Sequence, residues 1–136
     1  MKIKSLFVVA VVGLAGLAIV RPLDAHHSFD AEYDRTRTIT VTGSVTKLEW
    51  TNPHARIYVN GKDETGKTQE WDFELGPPNG LMRRGWSRNS LKQGHVVTVT
   101  GFRSKTSGHV ANARNVTLSD GRQVFAGSSF ETGPTP

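Results

Sequence analysis

Apolar and polar residues alternate with a period of two along most of the chain after residue 37. In the first run, apolar side chains occupy odd positions from Ile39 to Val45 and even positions at Leu48 and Trp50. β-Branched residues dominate this run, and the period is that of a strand with one buried face. Because the parity changes inside one run, we predict a long first strand with a bulge near Thr46.

Two further runs with the same period flank a turn-rich loop and predict a β-hairpin. Residues 54–59 and 70–75 alternate strictly, and NGKDETGK (60–67) separates them. We predict that the two strands pair symmetrically about Glu64. That register sets Tyr58 opposite Glu70, Arg56 opposite Asp72 and His54 opposite Glu74.

The second half of the chain adds one short helix and three more predicted strands. LMRRGWSRNSL (81–91) is the only helical candidate after residue 25; Asn79 is its expected cap, and Gly85 limits it to one or two turns. Strands are predicted in 95–102, 111–118 and 122–125. This order predicts an all-β, OB-like barrel of five to six strands with the helix between strands three and four. An open β-sandwich is the alternative.

The two ends of the chain differ in character from the barrel. MKIK, an apolar run over residues 5–20 and a segment ending in Ala25 have the layout of a signal peptide. We therefore expect residues 1–25 to be removed and the protein to be periplasmic or secreted, with no stable membrane insertion after cleavage. An uncleaved N-terminal anchor is the alternative. We expect the rest of the chain to comprise an N-terminal arm over residues 26–37, the barrel domain over 38–126 and a disordered tail over 127–136.

Composition narrows the chemistry that the chain can carry. The 136 residues include no cysteine, which excludes disulfides and thiolate metal sites. The formal net charge of +5 falls to +3 once residues 1–25 are removed. So small an excess does not indicate a nucleic-acid partner. Any metal site must use histidine, carboxylate or backbone ligands.

The double histidine after Ala25 is the strongest candidate for chemistry. Cleavage makes His26 the first residue, and its α-amino group and imidazole, with pKa values near ~8 and ~6.5, then form a nitrogen chelate. A second imidazole completes a histidine brace, an arrangement that favours Cu(II) over zinc. His54 is the expected second ligand, His27 an accessory, and Glu74 the group that orients His54. The alternative is that no metal binds: the two histidines are then part of a solvated, disordered N-terminus, and His54 pairs with Glu74 only for modest stability.

A second candidate lies in the predicted helix and needs no metal. Arginine forks bind carboxylate or phosphate groups, and an indole stacks on flat rings. The arginines and the tryptophan of this helix therefore suggest a ligand that is an anionic small molecule, a glycan or a partner protein. Packing of the tryptophan and surface pairing of the arginines are the alternative. The candidate residues are Arg83, Arg84, Trp86 and Arg88, with Tyr58 on the barrel face.

Signals for an enzyme are missing from the sequence. It contains no GxSxG, no HExxH and no glycine-rich phosphate loop. We therefore expect sequestration or delivery of a metal rather than catalysis. A structural envelope component without a ligand is a third possibility.

Most of the chain after residue 24 resembles an exported bacterial family, Domain of Unknown Function 6152. The resemblance implies an exported single domain whose double histidine falls at the signal-peptide cut, and it implies no activity. The stretches that carry it are AHHSF (25–29), VTKLEWTNPHARIYV (45–59), WDFELGPPNGLMRRGWSRNSL (71–91), VVTVTGFRSK (96–105) and VANARNVTLSDGRQVFAGSS (110–129).

Overall fold

The computed structural model describes residues 26–127, without the side chains of residues 26–28 and 125. The predicted signal peptide and residues 128–136 of the predicted tail lie outside the described residues. The helices are α1 (His26–Glu32) and α2 (Pro78–Arg83). The strands are β1 (Tyr33–Glu49), β2 (Arg56–Lys62), β3 (Thr68–Glu74), β4 (Val96–Ser104), β5 (Val110–Leu118) and β6 (Gln123–Phe125).

Strand β1 is long enough to take part in both halves of the barrel. It pairs antiparallel with β2 and with β4. The predicted bulge is confirmed, because Val45 pairs with Val59 and Lys47 with Tyr58, which leaves Thr46 as the extra residue. The strand begins at Tyr33, before the boundary expected at Thr38, since its first two residues also pair with the end of β4.

The sheet closes into a ring because β3, at one edge, pairs with β5 near the other edge. The hydrogen-bonded order is β3-β2-β1-β4-β5-β6, and β3 also pairs with β5 in parallel. Every connection between neighbours except β3–β5 is antiparallel. Helix α2 lies between β3 and β4 in the chain. This connectivity confirms the predicted OB-like barrel and not the open sandwich.

The register predicted for the β2–β3 hairpin is wrong by two residues. Arg56 pairs with Glu74 and Tyr58 with Asp72. A shift of two keeps every side chain on its face, so the alternating pattern fits both registers equally well. The turn decides between them: the Asp63 carboxylate accepts the N–H groups of Thr65 and Lys67, which centres the loop one residue beyond Glu64.

The barrel interior is filled by the apolar positions that the alternation marks. Trp71, Phe73 and Ile57 are fully buried there. Helix α2 contributes Leu81 to the same core. Its predicted cap at Asn79 is wrong, because the N-cap is Pro77, two residues earlier, and Pro78 is the first helical residue.

Candidate functional site

A polar network lies on the outer face of β2 and β3, opposite the core-facing residues of the same strands. We call it the Glu74 network; its members are Tyr33, His54, Arg56, Asp72, Glu74 and Asn112. Arg56 is at its centre: Nε and Nη2 donate to Asp72 at 2.8 and 3.0 Å, and Nη1 donates to Glu74 at 3.3 Å. Burial lowers the pKa of Arg56, but these hydrogen bonds and charges outweigh it and raise the pKa above its ordinary value.

Glu74 contacts side chains from β2, from β5 and from the segment just before β2. Besides Arg56, Asn112 Nδ2 lies 3.4 Å from its Oε1, and His54 Nδ1 lies 3.2 Å from the same oxygen. The charge of Glu74 also raises the pKa of the buried Tyr33 hydroxyl. The Glu74 side chain is only 13% exposed, so these contacts replace most of its water.

Tyr33 connects the N-terminal helix to this network. The residue is 5% exposed, and burial together with the charge of Glu74 raises the pKa of its hydroxyl far above the ordinary value. Its ring lies 5.3 Å from that of Phe29, which in turn meets Phe102 edge-on at 6.2 Å. Helix α1 is therefore fixed against the outside of the barrel by an aromatic contact next to Glu74.

Asn112 is the least exposed member of the network, at 1%. It lies on β5 between its two pairing partners, Phe102 of β4 and Glu74 of β3. Within the described part of the chain its Oδ1 atom has no hydrogen-bond partner. A buried polar atom without a partner is costly, so the Asn112 amide is only half satisfied, through the contact of Nδ2 with Glu74.

The structure brings His54 and Glu74 together, as predicted, although they are not directly paired. His54 precedes β2, after a cis Asn52–Pro53 peptide bond, and its side chain is 39% exposed. Side chains of diagonal neighbours on a sheet face are within reach of each other, which explains the contact despite the corrected register. Among described side chains, no group of three or more histidine and carboxylate residues is arranged to hold a metal.

The predicted ligands His26 and His27 are the first two residues of α1, at the end of the helix away from Tyr33. The helix begins at His26, but the side chains of His26 and His27 lie outside the described residues. The far end of the helix is fixed, since Lys105 N donates to the Glu32 carbonyl at 2.9 Å. Sequence analysis missed Tyr33 and Asn112; the signal for Tyr33 was its spacing of four from Phe29, which suits one face of a helix.

The alternative segment in residues 83–88 is partly absorbed into the fold. Trp86 is 4% exposed and belongs to the core, and Arg84 Nη1 donates to the Gly127 carbonyl at 2.7 Å. Arg83 and Arg88 are exposed. Tyr58 lies elsewhere, on β2, where its hydroxyl donates to Glu49 at 3.2 Å. These five residues therefore do not form one cluster.

The comparison with protein families covers α1, β1–β4 and the first part of β5. A family model matches residues 14–113, which include every member of the Glu74 network. The chain belongs to a family of unknown function, DUF6152. No curated protein and no solved structure matches it significantly. Within residues 26–127 of this DUF6152 member, no helix is long and apolar enough to cross a membrane.

Proposed function

We propose that this protein is exported, is cleaved after Ala25, and binds copper through His26 and His54 in order to sequester the metal or pass it on. The observation that carries the proposal is the 3.2 Å contact between His54 Nδ1 and Glu74 Oε1. When the Nδ1 side of a histidine faces a carboxylate, Nε2 is the nitrogen that is left to bind a metal, and this is the usual arrangement of a metal-bound imidazole.

The attachment of α1 sets the distance that the proposed site has to span. Tyr33 follows the helix directly, and its hydroxyl feels the charge of Glu74, the carboxylate that contacts His54. A helix of seven residues is about 10 Å long. The backbone of His26 is thus separated from the Glu74 network by a short, anchored element.

The chemistry of the donor set favours copper. After cleavage, the α-amino group and imidazole of His26 offer two nitrogens, and His54 offers a third. Nitrogen-rich sites of this kind bind Cu(II) most strongly among the divalent first-row metals, and zinc less strongly. His27 is an accessory ligand in this proposal. The chain carries no thiolate that would direct the site towards Cu(I) or a structural zinc.

The test begins with the N-terminus of protein recovered from exporting cells, followed by a Cu(II) titration of the same material. We expect a chain that begins at His26 and binds one Cu(II) with a nitrogen-rich electron paramagnetic resonance spectrum. One residue retained before His26 should abolish tight binding, because it converts the amine into an amide. Unchanged affinity in the extended protein would overturn the proposal.

Two substitutions test the second ligand and its support. His54→Gln should remove tight binding, and Glu74→Gln should weaken it by about 10- to 100-fold. His95→Gln is the matched control, because His95 is an exposed histidine in the turn before β4. Equal losses for His54→Gln and His95→Gln would show that copper binds imidazoles without a specific site.

The second hypothesis, an anionic ligand at residues 83–88, has less support. A core tryptophan offers no free face for stacking, and Arg84 donates to a backbone carbonyl. Arg83→Ala combined with Arg84→Ala should therefore leave copper binding unchanged. A ligand lost in that double variant and retained in the extended protein would favour the second hypothesis over the first.

A further inference from the structure

A different set of cations lies where the start of β1 meets the end of β4. Between Asp34 and Thr38 the pairing of β1 with β4 skips three residues, so segment 35–37 forms a bulge in β1. The Asp34 carboxylate accepts the N–H and the hydroxyl hydrogen of Thr36, at 2.9 and 2.6 Å. These bonds fix the segment, and Arg37 lies at its end.

This segment forms one wall of a surface pocket of about 170 Å³, which we call the Arg37 pocket. Its opposite wall is the β4–β5 connection. In barrels of this topology, that connection is one of the loops that flank the ligand-binding face. The lining residues are Arg37, Arg103, Ser104, Lys105, Thr106, Ser107 and Gly108.

The cations of this pocket are only partly compensated. Arg103 lies over the ring of Trp71 at 5.0 Å and has Glu64 at 3.8 Å. Lys105 Nζ donates to the Asp30 carbonyl, which is uncharged. Arg37 forms no hydrogen bond or ion pair through its side chain within residues 26–127.

The pocket therefore presents a surplus of positive charge together with hydroxyl groups. Among its described lining residues, none is acidic. The counter-charge in contact with this set is Glu64, 3.8 Å from Arg103. The Asp34 carboxylate is held on its own segment by its hydrogen bonds to Thr36, and these bonds, with the charges of Arg37 and Lys105, lower its pKa. Ser104 Oγ accepts the N–H groups of Thr106 and Ser107, which keeps the loop compact.

We propose that the Arg37 pocket binds a phosphate-type oxyanion through the side chains of Arg37, Arg103 and Lys105. Two guanidinium groups and an ammonium group, from β1 and from the end of β4, suit a tetrahedral anion with several charged oxygens. Arg103 is already held by Trp71 and Glu64, so little side-chain freedom is lost when it binds. The same chemistry is found in soluble phosphates and in lipid headgroups.

The first experiment is a titration of isotope-labelled protein, residues 26–136, with inorganic phosphate at constant ionic strength, followed by nuclear magnetic resonance. We expect saturable shifts at Arg37, Lys105 and Ser107. Arg37→Gln should weaken binding at least about tenfold, as loss of a charge-assisted hydrogen bond predicts. Lys105→Gln should act in the same direction.

The matched control is Arg88→Gln, an exposed arginine beyond the other end of β4. It should leave the phosphate affinity unchanged. Cosedimentation with phosphatidylglycerol vesicles, against phosphatidylcholine vesicles, separates the two sources of the anion. Arg37-dependent binding to the anionic vesicles alone identifies a headgroup, and binding to phosphate without vesicle binding identifies a soluble ligand.

Two outcomes overturn the proposal. One is the absence of both saturable phosphate shifts and vesicle binding in protein that gives a folded spectrum. The other is equal weakening by Arg37→Gln and Arg88→Gln, which would mean that only net charge matters. Neither outcome bears on copper binding, because the Arg37 pocket shares no residue with the Glu74 network.

Discussion

Arg56 and Arg37 lie on the same barrel in opposite electrostatic situations. Arg56 is surrounded by two carboxylates on β3, at 2.8 to 3.3 Å, and has little water around it. Arg37 is exposed and lines a pocket with two other cations. A cation with its counter-charges in place is part of the fold, whereas one without them is available to a ligand. Four substitutions test this difference, from the largest expected effect to the smallest.

Removal of the central carboxylate should break the Glu74 network. Glu74→Ala removes an acceptor of Arg56 and Asn112 and the carboxylate beside His54, and we expect a loss of about 3 kcal/mol in the free energy of unfolding. Urea denaturation of metal-free protein measures it. Glu70→Ala, on the exposed part of the same strand face, is the control and should change stability little. Equal losses would mean that the network is not a stabilising unit.

A second negative charge inside the network should be nearly as damaging. Asn112→Asp sets a buried carboxyl group beside Glu74, and we expect a loss of about 2–3 kcal/mol at neutral pH. Because burial and Glu74 favour the protonated form of the new group, part of the loss should be regained as the pH falls towards 5. Denaturation at pH 7 and pH 5 tests this, and a loss independent of pH would indicate a packing defect instead.

Tyr33 should make the stability of the protein fall in alkaline solution. Its hydroxyl stays protonated in the folded protein well above pH 10.0, whereas in the unfolded chain it ionises near that value. The unfolded state then binds fewer protons, so the free energy of unfolding falls by up to about 1.4 kcal/mol per pH unit above pH ~10. Tyr33→Phe should remove this slope. Tyr58→Phe is the control, with a smaller expected effect.

Loss of a pocket cation should have the smallest effect on the fold. Arg37→Gln removes one of several like charges that repel one another, and no partner is left without its ion pair. We expect an unchanged or slightly higher melting temperature, with the gain disappearing in concentrated salt because exposed charges are then screened. A clear drop in melting temperature would show that Arg37 has a structural role similar to that of Arg56.

The sequence pattern was sufficient for the barrel and for its bulge, because both are properties of alternation along single strands. It was insufficient for the hairpin register, since a shift of two residues preserves the pattern and only the Asp63 turn distinguishes the two possibilities. The start of β1 was missed for a related reason. Three unpaired residues separate Tyr33 and Asp34 from the rest of the paired strand. The alternating pattern that begins at Thr38 therefore does not extend back to Tyr33.

The candidate site was predictable in part. The His54–Glu74 contact followed from the shared face of two neighbouring strands, and this holds in either register. Tyr33 and Asn112 reach Glu74 from elements that are distant in the chain, and such contacts leave no local pattern. The same applies to the Arg37 pocket, whose walls are about 65 residues apart in the sequence. The copper ligands His26 and His27 stay a prediction, which the N-terminal analysis and the titration address.

The parallel pairing of β3 with β5 also determines when this protein can fold. Asp72, Phe73 and Glu74 find their partners only at residues 110–112, so a ribosome must release most of the chain before the ring can close. Until then, β3 keeps an open edge that invites pairing with other chains. Contacts between such distant segments also slow folding. The barrel of such a chain is therefore completed late, after β5 has been made.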